Sequence, residues 1–141
     1  MKYKHHVIAC LTLAIISSVI GLNTHRLTLS TLDEFWIGVL PYTLVLTCDL
    51  DSKTSVVTRA LGPFNIFSSF SEFGHREVLH HWAWGPVILI GWWLIPALWV
   101  GIKVPEITLV GAVLMLWCHM FCDMVYSSTK RIIPKRIWNM F

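Results

Sequence analysis

Residues 82–102, WAWGPVILIGWWLIPALWVGI, contain no charged side chain, and behind them come the short stretch KVPE (103–106) and a second apolar run, ITLVGAVLMLWCHMFCDMV (107–125). A helix needs about 20 apolar residues to cross the hydrocarbon core of a bilayer, and both runs are of that order. Trp82, Trp84 and Trp99 stand near the ends of the first run, where an aromatic belt would place them. The tight KVPE turn predicts that the two runs form an antiparallel helical hairpin.

Two more apolar runs lie upstream. Residues 7–22, VIACLTLAIISSVIGL, are uncharged, and the NTHRLTLSTLDEF that follows offers no small-x-small cleavage pattern, so the run reads as a retained helix and not a signal peptide. Residues 35–48, FWIGVLPYTLVLTC, are shorter and interrupted by Pro41; a half-buried or re-entrant helix is the alternative there. The long polar segment is 49–81. Composition agrees with this reading: 55% of the 141 residues are hydrophobic and eight are tryptophan, while 13% are charged, about half the share usual for soluble domains. The expectation is a single all-α membrane domain over residues 1–141, a four-helix transmembrane bundle with helices near 7–22, 35–48, 82–102 and 107–125.

With four spans, both termini and the polar segment share one side. That side holds Lys2, Lys4, Lys53, Arg59, Arg76, Lys130, Arg131, Lys135 and Arg136; the other holds Arg26 and Lys103. The bias places the first side in the cytoplasm of an inner-membrane, multi-pass protein. KRIIPKR (130–136) reads as a juxtamembrane basic cluster that attracts anionic lipid. A net charge of +3 is too small to argue for nucleic acid, which is not an expected partner. The four cysteines all lie in or beside apolar runs and read as small packing residues.

On this topology the metal-ligand residue types converge. His5 and His6 start helix one, Asp49 and Asp51 follow helix two, and His75, His80 and His81 precede helix three. His119 and Asp123 lie four apart on one face of the last helix. An ionisable pair inside a spanning helix is costly and faces a partner or a wet cavity. HxxxD offers a nitrogen and an oxygen to one ion, as i, i+4 ligands do in zinc helices. Taken singly, Asp-x-Asp in a turn is ordinarily a solvated cap, and His-His at a terminus is an ordinary polar flank; their shared depth and side is what argues for a site. Cys118 and Cys122 lie about 100° around the helix from the His119–Asp123 face, which favours packing over a thiolate site.

The ordered set KHH (4–6), CDLDS (48–52), TRALGP (58–63), FGHREVLHH (73–81) and CHMFCD (118–123) resembles the YdjM-type inner-membrane proteins, to which membrane-bound metal-dependent hydrolase activity is ascribed, and a related group of metal-binding membrane proteins. The likeness covers most of the chain. It departs from the family pattern at Cys48, where proline is usual, and at Glu77, and either His80 or His81 fits the second histidine position. A more distant likeness is to zinc-dependent phospholipases C and single-strand nucleases, whose later ligands have no counterpart here.

The expected function is hydrolysis of a phosphoester, of a small molecule or a lipid, at the cytoplasmic face. Asp51, with Asp49, His75, His80 or His81, His119 and Asp123 would hold a divalent ion, zinc being favoured by the nitrogen–oxygen mix. His6, or His5, would reach a second ion or orient a ligand, and Arg76 and Arg59 would bind the anionic group. The alternative is a metal-binding membrane protein without catalysis, a sensor or an assembly factor.

Overall fold

Spacing of four residues along the first helix sets its inner face. In α1 (Tyr3–Asn23) the side chains of His6, Cys10, Ala14 and Ser18 are all buried, forming the stripe that an α-helix makes of every fourth residue. Ile8, Ile15, Ile16, Val19 and Ile20 point outward and are exposed. The structure is a computed structural model describing residues 3–52, 55–65 and 79–132, without the side chains of Tyr3, Cys48, Asp51, Phe64 and residues 130–132.

The helix stops where His25 adopts a left-handed φ of 56°. His25 N donates to Leu22 O (3.2 Å) and Arg26 N to Gly21 O (2.8 Å), the paired closure by which many helices end, with histidine where glycine is usual. After this short turn comes α2 (Leu29–Leu44), whose start is fixed by Thr28 N donating to Thr31 Oγ1 at 3.0 Å. A 3₁₀ turn at Cys48–Asp51 and the six-residue α3 (Val56–Leu61) follow. The last pair is α4 (Trp84–Trp99) and α5 (Glu106–Ile132).

Antiparallel pairing of α1 with α5 is visible in two contacts: Cys10 Sγ lies 3.8 Å from Met115 O, and His6 Nε2 lies 3.2 Å from Asp123 Oδ1. As residue numbers rise along one helix they fall along the other. The short turn reverses α2 relative to α1, so α2 runs with α5. The two approach at glycines. A Cβ on Gly38 would stand 1.9 Å from Thr108 O, and one on Gly111 would stand 2.6 Å from Phe35 O. Small residues at such crossings let backbones touch, and Thr108 Oγ1 uses the proximity to donate to Glu34 O (2.9 Å). Across the bundle, Tyr42 of α2 donates its hydroxyl to Leu89 O of α4 (3.1 Å) and receives the indole N–H of Trp93.

All the described elements are helical, as the sequence implies, but the spans differ from expectation. Among the described residues two helices are long and apolar enough to cross a membrane, Lys4–Asn23 and Glu106–Thr129, not four. The apolar run 82–102 yields only the 16 residues of α4. Gly101, at φ 79°, turns the chain, with Gly101 N donating to Leu98 O and Ile102 N to Ala97 O. The second helix is shifted from 35–48 to 29–44. Its capped start takes in Asp33 and Glu34, and Pro41 O receives both Val45 N and Leu46 N as the helix unwinds. At 1.5 Å per residue, α2 and α4 each span roughly 24 Å, short of the ~30 Å core.

Gly38→Ala should destabilise the fold by about 1–3 kcal/mol, the range for overpacking, because its new methyl meets backbone. Gly91→Ala, with nothing within 4 Å of its Cβ, is the matched control and should be neutral. Thermal unfolding of the purified protein reads both.

Candidate metal centre

Four chain segments deliver side chains to one point near one end of the helices. His119 and Asp123, one turn apart on the inner face of α5, are 2% and 8% exposed. Asp49 arrives on the 3₁₀ turn after α2, His80 on the segment before α4, and His6 near the start of α1. Ligand atoms of Asp49, His80, His119 and Asp123 all lie within 4.8 Å of one another.

Asp123 is the shared member. Its Oδ1 lies 3.2 Å from His6 Nε2 and its Oδ2 lies 3.1 Å from His80 Nε2. Asp49 spans the opposite side, with Oδ1 3.7 Å from His80 Nε2 and Oδ2 3.6 Å from His119 Nε2. The rings of His6 and His119 lie with centroids 4.3 Å apart, tilted 31° to each other. His119 Nε2 is buried and has no hydrogen-bond partner, since its carboxylate neighbour lies just too far.

That orphaned nitrogen and these separations fit a cation. Ligand atoms about 2.0–2.2 Å from a tetrahedral zinc ion stand roughly 3.4 Å from one another; the 3.1, 3.6 and 3.7 Å separations, the last two to different oxygens of Asp49, lie around that value, within a group that spreads to at most 4.8 Å. Two imidazoles and two carboxylates are a borderline-hard donor set suited to a divalent ion. His6, outside the four-residue group, holds Asp123 from behind, as partners of ligating carboxylates do. At Asp49, burial pushes the carboxyl pKa upward, but the His119 and His80 imidazoles outweigh it and leave the group below the ordinary carboxylate range. It is therefore ready to coordinate at neutral pH.

The supports are local. Leu50 O, next to Asp49, accepts from Asn65 Nδ2 (2.7 Å) and Thr58 Oγ1 (3.2 Å). Ser55 Oγ, which caps α3, in turn accepts from Thr58 N at 3.0 Å. Thus α3 clamps the turn that presents Asp49. His80 is set by Leu79 and Gly85: a Cβ on Gly85 would lie 2.0 Å from Leu79 O, so only glycine lets this segment lie against α4.

Of the two adjacent histidines, His80 faces the cluster and His81 does not. His81 is exposed, its Nδ1 accepts from Ala83 N and Trp84 N (both 3.3 Å), and its ring stacks on Trp82; it caps α4. Arg59 is exposed on the last turn of α3. Asp51 closes the 3₁₀ turn, but its side chain, like His75 and Arg76, lies outside the described residues. Asn65, Thr58 and Gly85 were not singled out from sequence, and no local pattern marks them; their roles come from contacts made between segments. Cys10 is in the core, and Cys118 packs half-buried against it. No family model, curated protein or solved structure matches the chain.

Gly85→Ala should push the Leu79–His80 segment outward and weaken divalent-ion affinity by about 10- to 100-fold, as loss of ligand positioning does, while helix content stays unchanged. Isothermal titration with zinc beside circular dichroism checks it.

Proposed function

We propose that this chain is a multi-pass membrane protein that uses the Asp49–His80–His119–Asp123 cluster to hold one divalent ion and hydrolyse a phosphoester at the cytoplasmic face. The observation that carries the reading is the convergence of two imidazoles and two carboxylates at zinc-like separations, next to an open cavity of about 200 Å³ bordered by His80, Asp123 and Ser127. A catalytic ion needs an open position beside its protein ligands, and the cavity offers room for one.

A divalent ion there supplies Lewis acidity and water of lowered pKa. The chain's own residues do the rest. His80 and His119 present ring nitrogens, Asp49 and Asp123 present oxygens, and His6 keeps the Asp123 carboxylate turned toward the ion. Arg76, and Arg59 on the helix that clamps the Asp49 turn, are the groups suited to an anionic substrate oxygen. The mixed donor set favours zinc. The membrane assignment draws on the two long apolar helices, the exposed isoleucines of α1 and tryptophans of α4, and the basic bias of the polar side. On this reading α2 and α4, though short, complete a four-helix bundle with both termini cytoplasmic. A cysteine at Lys103 should then label from the opposite side to one at Asn139; labelling from a common side would remove the topology.

Purified protein should carry about one zinc equivalent. His119→Ala and Asp123→Ala should each lose more than the ~100-fold in affinity that an outer-sphere change costs, whereas Cys118→Ser should keep the ion. Metal-loaded wild type should release phosphate or alcohol from a panel of phosphomonoesters and phosphodiesters, and a chelated sample should not. A stable ion with no turnover of any ester would leave a non-catalytic metal-binding protein. No ion in wild type would leave a polar pin, a role for which the 3.1 and 3.2 Å contacts of Asp123 would suffice.

A further inference from the structure

Three hollows follow one another along α5. The first, about 200 Å³, touches Asp123, Ser127 and His80. The second, about 400 Å³, shares His80, Met120 and Met124 with it and adds Trp82, Trp117 and Phe121. The third, about 330 Å³, shares Trp117 and continues past Leu114 and Val110 to Leu109. Each hollow shares a lining residue with the next, so they lie in a row along α5 as a segmented groove. Trp117 Nε1 donates to Trp82 O (3.1 Å) and ties the wall from α5 to the start of α4.

Among the described residues, the groove's charged and histidine lining lies at one end. His80 and Asp123 mark that end, and below them the lining is aromatic, methionine and aliphatic side chains. From Asp123 to Leu109 is fourteen residues of helix, roughly 21 Å at 1.5 Å each. Half of a ~30 Å hydrocarbon core is about 15 Å, so the groove is long enough to take a tail that reaches to the middle of the bilayer. It runs along the helix axis, the direction in which acyl chains lie. In water such a surface would be a liability; beside lipid it is filled by hydrocarbon.

Resting on the ion-site reading above, we infer that the substrate enters sideways from the membrane: it is a lipid with a phosphate headgroup, its tail in the α5 groove and its phosphate at the Asp49–His80–His119–Asp123 cluster. His80 lines both the cluster and the groove, which joins headgroup chemistry to tail binding in one molecule. A water-soluble phosphoester would use only the upper cavity.

The test places a benzophenone amino acid at Phe121, in the groove wall, and separately at Ile16, which faces outward from α1. Zinc-loaded protein is put in nanodiscs of phosphatidylcholine with a minor fraction of phosphatidate, irradiated, and its adducts weighed. Phosphatidate should be enriched several-fold at Phe121 over Ile16, and the enrichment should vanish with chelator or in Asp123→Ala. A second variant, Val110→Trp, fills the lower groove; it should slow phosphate release from long-chain phosphatidate several-fold while leaving turnover of p-nitrophenyl phosphate unchanged. Equal lipid composition at the two positions, enrichment that survives chelation, or adducts to another polypeptide at Phe121 overturns the inference. Turnover of the soluble ester without enrichment removes the tail groove and keeps the hydrolase. Chelator-sensitive enrichment with no turnover of either ester keeps the lipid site and removes the hydrolase.

Discussion

A carboxylate buried on the inner face of an apolar helix must be answered by other segments, and in this protein Asp123 is answered by two. Leaving an ionised group unpaired in such surroundings costs several kcal/mol. His6 meets one oxygen and His80 the other, so the start of α1 and the approach to α4 are both drawn to the same turn of α5. The stripe below His6 then decides how close α1 can come: Cys10, Ala14 and Ser18 are small, and Cys10 reaches the Met115 backbone. Bulky side chains at those positions would hold the imidazole away from Asp123.

Asp49 and His80 depend on a different kind of contact. Neither sits on a long helix, so each is placed by backbone fit. Gly38 and Gly111 let α2 lie directly on α5, and this close crossing brings the turn after α2 level with His119. Asn65 and Thr58 then hold the Leu50 carbonyl and stop that turn from rotating. On the α4 side, Gly85 does the equivalent for Leu79 and His80, and the Tyr42 hydroxyl, bonded to Leu89 O, keeps α4 beside α2. Glycine contacts and a few buried polar bonds therefore set the cluster to within hydrogen-bond tolerances, on helices whose outer faces carry little specific information.

Those outer faces explain what could be read from the sequence. The helices themselves, their apolar exterior and the i, i+4 pairing of His119 with Asp123 all follow from spacing, because a helix imposes its own period. Where each helix ends does not follow from hydropathy. α4 ends at Trp99 although the apolar run continues, because Gly101 allows a left-handed closure. α1 ends at Asn23 by the same geometry, with left-handed His25 in place of a glycine to announce it. The choice between His80 and His81 was open in sequence because both precede an apolar run. The structure separates them by the turn into α4, which aims one ring at the cluster and leaves the other to cap the helix. Asn65 and Gly85 act across segments, and a single sequence has no local mark for that.

Charge balance joins the cluster to the apolar bundle around it. Two ionised carboxylates, Asp49 and Asp123, put two negative charges among side chains that are mostly buried. A low-dielectric setting favours neutrality, and there are two ways to reach it. Protons on two of the three imidazoles would do so, making donors of ring nitrogens that stand 3.1–3.7 Å from the carboxylate oxygens. One divalent ion would neutralise both carboxylates with the imidazoles neutral: His80 and His119 would offer it ring lone pairs, and His6 would donate its N–H to Asp123. Ion and protons therefore compete for the same atoms, and binding the ion must expel protons. The 3.6 and 3.7 Å separations around Asp49 are wide for hydrogen bonds and suitable for ligands facing a common ion.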